Sequence, residues 1–400
     1  MNISQKIKEL ATAFLDDTIQ IRRYLHQHPE LSFQEHHTSA FIKQKLDELG
    51  IPYTGGYVET GILAKIEGLN PQKKIVALRA DMDALPVVEE NQVDYISQNT
   101  GVMHACGHDV HSACLLGAAK ILQQFRNDFE GTILLVFQPA EEKLPGGAKL
   151  MLEQGIFDAI KPDLIIGQHV MPGLQVGKVG FRSGMYMASA DEIYLTVKGK
   201  GGHAAMPHQL VDTVLVASHI IVALQQVVSR NAYAAIPSVL SFGKVDAPGA
   251  TNIIPREVKI EGTFRTMDEK WRYEAHQKIT KIATTLAESM GATCEVDIEV
   301  GYPCLVNDAG ITTEASKLAM EILGKEQVVE LDLRMTSEDF AFFSQQYPAT
   351  FYRLGISGAE AKVVSPLHSP TFNIDEKALE TGMATMAYLA LGFLKNESKY

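Results

Sequence analysis

The chain has 400 residues, of which 46% are apolar and 21% charged, the proportions of a folded globular protein. These values exclude a disordered, a collagen-like and a coiled-coil chain, and at about 150 residues per domain the length predicts two or three domains. Thirty-six Lys and Arg residues against 48 Asp and Glu residues give a net charge of −12. A field of that sign repels phosphate backbones, so we expect no nucleic acid partner.

Hydropathy and cysteine content bear on location. No run of about 18 consecutive apolar residues occurs, and residues 1–31 mix charges with an apolar helical period instead of the central apolar region of a signal peptide. The cysteines are too few for a disulfide framework and form no C-x-x-C pair. They are Cys106, Cys114, Cys294 and Cys304. We expect a cytoplasmic protein without a membrane partner, in which each cysteine is a buried filler, a nucleophile or a metal ligand.

The first part of the chain alternates apolar helical periods with short runs rich in Val, Ile and Leu. Helices are predicted over 3–28, 38–49, 111–125 and 147–154. Strands that are buried on both faces are predicted over 61–66, 74–79, 132–138 and 163–166. This alternation predicts a layered α/β domain.

The pattern changes after Ser183-Gly184. The next predicted strands are 190–197, 238–245, 257–266 and 294–300, and the helices among them are 212–229 and 267–290. Their order, β-α-β-β-α-β, is that of the split βαβ of ferredoxin-like domains. The earlier style then resumes with helices at 310–323 and 375–395 and strands at 327–331 and 350–354. We therefore predict one α/β domain made of 1–186 and 299–400, interrupted by an α+β domain at 187–298.

The densest group of chemically active residues is the segment 103–111, MHACGHDVH. Cys and His are ligands for Zn, Mn, Ni or Co, and in an extended loop Cys106 and His108 would point to the same side, toward one metal ion. The alternative is a helix-capping segment with incidental histidines. His104 and His111 fit that alternative as well.

Acidic and imidazole groups also follow the predicted strands, where ligands of open α/β sheets collect. After strand 132–138, Glu141 and Glu142 suit a proton-transfer role and a metal-ligand role. Asp81 and Asp83 could orient ligating histidines. His169 follows another strand and His368 lies in a proline-flanked loop. Taken singly, each has a structural alternative, such as a solvated acidic loop, a turn acid pair or a structural histidine.

The inserted domain has its own polar segment, GKGGHAAMPH at 199–208, where small residues let a ligand approach His203 closely. Asn252 lies in a loop with proline and glycine, and Arg265 ends a predicted strand. An Arg with an Asn can clamp a carboxylate. The alternative for Arg265 is a surface salt bridge.

Taken together, these motifs resemble the peptidase M20 family over nearly the whole chain. Within it the closest likeness is to the amidohydrolase branch, which holds hippurate hydrolases, N-acyl-amino-acid amidohydrolases and indole-acetyl-amino-acid hydrolases. The motifs that carry the resemblance are LRADMDALP (78–86), MHACGHDVHSACLLGAA (103–119), FQPAEE (137–142), GQHVMP (167–172), GKGGHAAMPH (199–208), TNIIP (251–255), GTFR (262–265), SEDFA (337–341) and LHSPTF (367–372).

The resemblance implies a zinc-peptidase-like (phosphorylase/hydrolase-like) catalytic domain with an inserted ferredoxin-like lid, which is also the usual dimerisation domain. It implies two divalent metal ions, Mn, Zn, Ni or Co, in each subunit of a homodimer. The implied ligands are Cys106, His108, Glu142, His169 and His368. A cysteine at position 106 points to the amidohydrolase branch, and its thiolate is expected to bridge the metals.

The remaining roles follow from the same resemblance. Glu141 is the expected general base, and Asp83 and Asp81 are expected to orient ligands. His203 is expected to reach the active site of a neighbouring subunit and stabilise the oxyanion, while Asn252 and Arg265 hold the substrate carboxylate. The implied reaction is hydrolysis of N-acyl-L-amino acids with N-acetyl, benzoyl or indole-acetyl groups to a carboxylic acid and a free amino acid.

Two departures concern substrate preference, not the chemistry. Gln168 stands where the branch commonly has an apolar residue, and Thr213 where proline often follows the aspartate. Three other functions remain open at this point: a dipeptidase or carboxypeptidase of the same family acting on short peptides, a hydrolase with Cys106 as nucleophile beside His108, and a catalytically silent scaffold.

Overall fold

The structure is a computed structural model that describes residues 3–358 and 364–395. Its first helices and strands in chain order are α1 (Ile3–Gln27), α2 (His36–Glu48), β1 (Tyr53–Tyr57), β2 (Gly61–Glu67), β3 (Ile75–Asp81), α3 (His108–Gln124), β4 (Thr132–Gln138), α4 (Gly147–Glu153), β5 (Leu164–Gln175) and β6 (Val179–Phe181). The next are β7 (Gly184–Met187), β8 (Asp191–Lys198), β9 (Gly202–His203), α5 (Thr213–Gln226), β10 (Ser238–Asp246), β11 (Ile253–Ile254), β12 (Glu257–Thr266), α6 (Glu269–Ser289) and β13 (Thr293–Val300). The last are β14 (Leu305–Asn307), α7 (Ala309–Leu323), β15 (Val328–Glu330), α8 (Ala341–Ser344), β16 (Ala349–Ser357) and α9 (Ala378–Lys395).

The chain forms two compact units. The first comprises Met1–Gly184, Val306–Asp332 and Asp339–Tyr400, and the second comprises Met185–Leu305 and Leu333–Glu338. The chain thus leaves the first unit after Gly184 and again after Asp332. Each unit has its own hydrophobic core.

The first unit is built on one mixed sheet, whose strand order among the described residues is β1-β2-β4-β3-β5-β16-β6-β15. The four central strands, β4, β3, β5 and β16, are mutually parallel. Helices α1, α3 and α9 pack against one another, and α3 and α9 lie against β3, so β3, β4 and β16 are buried throughout. The carboxyl ends of parallel strands meet at one edge of the sheet, where Asp81 ends β3 and Glu141 and Glu142 follow β4.

The second unit has a four-stranded antiparallel sheet of order β10-β12-β8-β13, on which α5 and α6 pack. Alternate residues of β8, namely Ile193, Leu195 and Val197, enter the core, as expected for a sheet covered on one face. Side chains of Asp212 and Asp268 accept hydrogen bonds from the backbone N–H groups that begin α5 and α6.

The α/β prediction and the β-α-β-β-α-β order of the inserted segment are confirmed. Several boundaries differ. Helix α3 begins at His108, three residues earlier than predicted, and β5 runs on to Gln175. Strand β1 had no signal, because its residues, YTGGY, include two glycines and are mostly exposed. The stretch Thr213–Asn231 is long and apolar enough by composition to cross a membrane, but one such helix is weak evidence for a span.

Candidate metal centre

The Cys106–His108 pair is shaped by the residue between them. Gly107 has a φ of +84°, and a Cβ atom built there would lie 2.6 Å from a methyl carbon of Val170, so only glycine fits. The prediction of an extended loop at this place is wrong, because the left-handed turn at Gly107 leads directly into α3, whose first residue is His108. Cys106 and His108 are both buried and meet the same group of ligand atoms.

The Glu141–Glu142 pair follows β4 after another left-handed residue, Ala140, whose φ is +53°. Glu141 is 6% exposed, and its Oε1 accepts a hydrogen bond from the backbone N–H of Asp339 at 3.4 Å. Oε1 of Glu142 lies 3.9 Å from Nε2 of His108. The turn therefore presents two carboxylates to one place.

Two further histidines complete the group. Nδ1 of His169 lies 2.8 Å from the carbonyl oxygen of Val170, a geometry that places the proton on Nδ1 and leaves Nε2 to face Cys106 Sγ at 3.5 Å. The backbone of His368 has a φ of +62°, which is rare for a residue other than glycine. The backbone N–H of His368 donates to the carbonyl oxygen of Ala105 at 2.8 Å. Its Nε2 lies 3.3 Å from Oε1 of Glu142.

Among the groups of potential ligands that these side chains form, two overlap at Cys106. One set is Cys106, His108 and His169, and the other is Cys106, Glu142 and His368, with the ligand atoms of each set lying within 4.8 Å of one another. Cys106 belongs to both sets. If two divalent cations were bound, Cys106 would be the residue common to the ligands available to them.

The donor atoms and their surroundings fit a divalent cation. Nε2 of His108 is buried and has no hydrogen-bond partner among the described residues. It lies 3.7 Å from Asp81 Oδ2 and 4.0 Å from Glu141 Oε2. Burial alone would lower the pKa of His108, but the charges of Asp81, Asp83 and Glu142 raise it to about 10. The carboxylates therefore favour a positive charge at this nitrogen, and the mixed S, N and O donors suit Zn, Mn, Co or Ni.

The Asp81 and Asp83 carboxylates hold the histidines in place. Oδ1 of Asp83 lies 3.1 Å from Nδ1 of His108, and Oδ1 of Asp81 lies 2.5 Å from Nδ1 of His111. Nε2 of His111 accepts the N–H of Val170 at 2.9 Å, so both of its ring nitrogens are used inside the protein. His111 is therefore a structural link between β3 and β5, while His108 keeps Nε2 for a ligand.

Cys106 is poorly suited to act as a nucleophile without a cation. Burial, together with the neighbouring Glu142 and Glu141, raises the pKa of its thiol well above the ordinary value. Burial and the charge of Arg353 hold the pKa of the adjacent His169 well below its usual range, so this imidazole stays neutral. The surroundings thus oppose a free thiolate, which a bound cation would stabilise.

Sequence reasoning missed several residues that support the centre. Asp339 accepts hydrogen bonds from Arg79 at 2.9 Å and Gln138 at 2.7 Å, and Arg79 also donates to Asp81 at 2.6 Å. Glu35 lies behind the Ala140 turn, and Ser32 donates to Asp83 at 2.6 Å. Asp339 belongs to a motif that the resemblance included without a role. Ser32 and Glu35 had no signal, since polar residues between two helices are common.

Gln168 has a local explanation. Its Oε1 accepts the hydroxyl of Tyr352 at 2.7 Å inside the core, on the strand that carries His169. The other departure, Thr213, begins α5 and donates its hydroxyl to the carbonyl of Pro255 at 2.7 Å. Both residues therefore serve packing inside their own unit.

The remaining predicted residues lie in the second unit. His203 is exposed on β9, where its Nδ1 accepts the N–H of Ala205 at 3.1 Å. Asn252 lies in a turn beside it, and the carbonyl oxygen of Asn252 accepts a hydrogen bond from the backbone N–H of Ala204 at 3.0 Å. Arg265 is half-buried on β12 and donates to the hydroxyl of Ser337 at 3.2 Å. His203 and Asn252 are thus brought together, whereas the candidate ligands Cys106, His108, Glu142, His169 and His368 all belong to the first unit.

Comparison with known proteins identifies relatives over nearly the full length. Residues 77–392 match the model of peptidase family M20/M25/M40. The chain is 43% identical to the N-acyl-L-amino acid amidohydrolase of Geobacillus stearothermophilus over 76% of this chain and 81% of the relative. It is 38% identical to thermostable carboxypeptidase 2 of Saccharolobus solfataricus over 98% of this chain and 99% of that protein.

A solved structure agrees with these relatives. The YXEP protein of Bacillus subtilis, described as a dinuclear metal binding peptidase from the M20 family, superposes with a TM-score of 0.83. It is 34% identical, and the alignment covers 96% of this chain and 99% of the other. The chain therefore belongs to peptidase family M20/M25/M40.

Proposed function

We propose that the chain is a metal-dependent amidohydrolase that cleaves the amide bond of N-acyl-L-amino acids, releasing a carboxylic acid and a free amino acid. The observation that carries the proposal is the pair of ligand sets that share Cys106, with the Glu141 carboxylate beside them. The amidohydrolase relative, at 43% identity, supports the substrate class. The proposed ligands are Cys106, His108, Glu142, His169 and His368.

The proposed reaction consumes one water molecule for each amide bond that is cleaved. Two bound divalent ions would polarise the amide carbonyl and lower the pKa of the attacking water. Glu141 takes a proton from that water as the water oxygen attacks the carbonyl carbon. Glu141 then gives the proton to the leaving nitrogen when the C–N bond breaks. One water molecule and one amide thus become an acid and an amine. Asp83 keeps His108 oriented during these steps through their 3.1 Å contact.

The second unit is the proposed lid and dimerisation domain of a homodimer. Leu215, Val222 and Ile253 are 49%, 73% and 54% exposed on it, and a second copy of the chain would cover such apolar side chains. In this proposal His203 reaches the neighbouring subunit and donates to the developing oxyanion. Asn252 and Arg265 then bind the substrate carboxylate. We further propose a cytoplasmic location and Mn, Zn, Ni or Co as the metals.

A carboxypeptidase is the second candidate, because one relative bears that name at 38% identity. Both functions use the same metal chemistry and differ in the group on the acyl side. The test is hydrolysis by chelator-stripped protein of N-acetyl-L-methionine, hippurate, an indole-acetyl amino acid and short peptides, each with and without added Mn²⁺, Zn²⁺, Ni²⁺ or Co²⁺. Metal-dependent release of amino acid from the acylated substrates supports the amidohydrolase. Cleavage of peptides alone supports the carboxypeptidase, and two bound metals with no turnover of any substrate would favour a silent scaffold.

A further inference from the structure

Glu35 is a buried carboxylate close to the candidate centre but outside the ligand sets. It is 0% exposed, and the groups that donate to it are uncharged. Oε1 accepts the N–H of Phe33 at 3.0 Å and the N–H of Ala140 at 2.8 Å, while Oε2 accepts the hydroxyl of Thr60 at 3.0 Å. Burial and the nearby charge of Asp83 raise the pKa of Glu35 to about 7. A carboxyl group in such surroundings needs a structural or functional reason.

The two backbone groups that share Oε1 belong to residues in a rare conformation. Phe33 has a φ of +68° and Ala140 a φ of +53°. A residue with a Cβ atom is strained in the left-handed region, so neighbouring contacts must hold it there. At Ala140 the contacts are the bond to Glu35 and the N–H of Gly147, which donates to the Ala140 carbonyl at 2.8 Å.

The direction of the chain after Ala140 decides where Glu141 points. The Glu141 carboxylate is placed between the backbone N–H of Asp339 at 3.4 Å and Nε2 of His108 at 4.0 Å. On the far side, the N–H of Glu142 donates to Asp83 at 3.0 Å. A rotation of the backbone at Ala140 would therefore move Glu141 more than Glu142, because the N–H of Glu142 is held separately by Asp83.

We propose that Glu35 is a positioning residue for the general base Glu141, which it orients by holding the N–H of Ala140 and with it the left-handed turn. The inference rests on the proposed function, since Glu141 has its role there. The role of Glu35 is geometric and does not depend on its charge. The N–H groups of Phe33 and Ala140 both donate to Oε1 of Glu35. The side-chain oxygen of a glutamine at this position would accept both hydrogen bonds, and its nitrogen could donate to the hydroxyl of Thr60.

This geometry supplies matched variants. Glu35→Leu removes both acceptors at similar volume, and Glu35→Gln keeps them without the charge. Thr60→Val removes only the bond to Oε2. Glu35→Asp, which shortens the side chain by one methylene and withdraws it from Ala140, replaces Glu35→Leu if that variant does not fold.

The experiment measures kcat, KM and bound metal for the full chain, together with crystal structures of the metal-free variants. Glu35→Leu, or its Asp replacement, is expected to lower kcat about 10–100-fold with KM within about threefold and two metals retained. Glu35→Gln and Thr60→Val are expected to stay within about threefold of the parent in kcat. In the crystal structure of Glu35→Leu, Ala140 should leave the left-handed region and the Glu141 carboxylate should move.

Three results would overturn the proposal: an unchanged turn in the Glu35→Leu crystal structure, a loss of activity that only follows loss of metal, or equal losses in Glu35→Gln and Glu35→Leu. If the parent protein hydrolyses none of the acylated substrates or peptides, the proposed function fails by itself. The crystal structures then still decide whether Glu35 holds the turn.

Discussion

The Asp83 carboxylate lies 3.1 Å from Nδ1 of His108 and thereby determines which nitrogen of that imidazole can meet a cation. Its second oxygen accepts the hydroxyl of Ser32 at 2.6 Å and the N–H of Glu142 at 3.0 Å. Together these hydrogen bonds outweigh the effect of burial and lower the pKa of Asp83. One carboxylate thus ties a proposed ligand on α3 to a proposed ligand after β4.

Asp83→Asn should weaken metal binding without removing a ligand. An asparagine oxygen at the same place still accepts one hydrogen bond, but the charge that favours the His108 tautomer is lost. We expect the affinity for one metal to fall about 10–100-fold, the usual effect of losing a partner of a ligating histidine. Calorimetric titration measures this, with the exposed Asp128→Asn as the control. Equal affinities in the two variants would contradict the role of Asp83.

Cys106→Ala should affect both metals at once, because Cys106 belongs to both ligand sets. We expect the purified variant to hold fewer than two ions per chain. Cys114→Ala is the matched control, since Cys114 is also buried but lies in the core against the Leu379 carbonyl. Elemental analysis after dialysis measures the ratio. Two ions retained by Cys106→Ala would refute a shared thiolate.

Glu141→Gln and Glu142→Gln should separate the base from the ligand. Glu141→Gln is expected to keep two metals and to lower kcat by about 10²–10⁴, the range for loss of a general acid–base group. Glu142→Gln is expected to lose metal instead, because its Oε1 faces the imidazoles of His108 and His368. Metal content and kcat measured on the same samples distinguish the two. Full activity of Glu141→Gln would exclude it as the base.

His203→Ala tests the proposed dimer. Loss of one oxyanion donor is expected to lower kcat about 10²–10³-fold. In mixed dimers of His203→Ala with Glu141→Gln, one of the two sites would hold both an intact Glu141 and an intact His203 from the other subunit. A symmetric dimer has two sites, and only one of them is intact in the mixed dimer. We therefore expect verified mixed dimers to recover about half of the parental kcat per dimer. No recovery would mean that His203 does not act across subunits.

Asp109→Asn tests a buried charge pair next to the centre. Arg22 Nε lies 2.8 Å from Asp109 Oδ2, and both side chains are fully buried. Burial alone would raise the pKa of Asp109, but Arg22 and His26 hold it far below the ordinary value. The stabilisation by Asp109 is therefore present above the unfolded pKa near 3.9 and is lost as pH falls toward the folded pKa.

Breaking such a pair leaves a buried Arg22 charge, so we expect Asp109→Asn to lower the free energy of unfolding by about 3–5 kcal/mol at pH 7. The difference from the parent should shrink below about pH 4. Urea unfolding of metal-free protein across this range measures both effects. The exposed pair Lys120–Asp17 supplies the control, since Asp17→Asn should cost less than about 1 kcal/mol. A constant difference from pH 7 to pH 3 would contradict the linkage.

The fold class could be predicted from local patterns. The runs that form β2, β3 and β4 are mostly apolar, as is typical of strands covered on both faces, and the change of pattern after Gly184 marks the second unit. Two of the proposed ligands, Glu142 and His169, follow predicted strands, whose carboxyl ends meet at one edge of the sheet. The full set with Cys106, His108 and His368 was implied by the resemblance to the M20 family.

The tertiary structure decided which of these groups face one another. His108 and His111 share one segment, yet Nε2 of His108 is buried near the carboxylates without a hydrogen-bond partner in the described part of the chain, while both ring nitrogens of His111 are held by Asp81 and Val170. The spacing of the histidines along the chain does not predict this difference. The difference arises because β5 continues past the end of β3 and brings the N–H of Val170 to His111.

The supporting residues show the same division. The chain itself determined the strands and the carboxylates that follow them, whereas the need for glycine at position 107 comes from its φ of +84° and its contact with Val170 in the folded structure. Glu35, 105 positions before Ala140, became visible only when folding placed its carboxylate 2.8 Å from that N–H group. The local sequence determines the spacing of apolar residues and the side-chain chemistry of each helix and strand. The partner of a buried polar group is chosen by packing between distant segments, where each hydrogen bond must be satisfied in the absence of water.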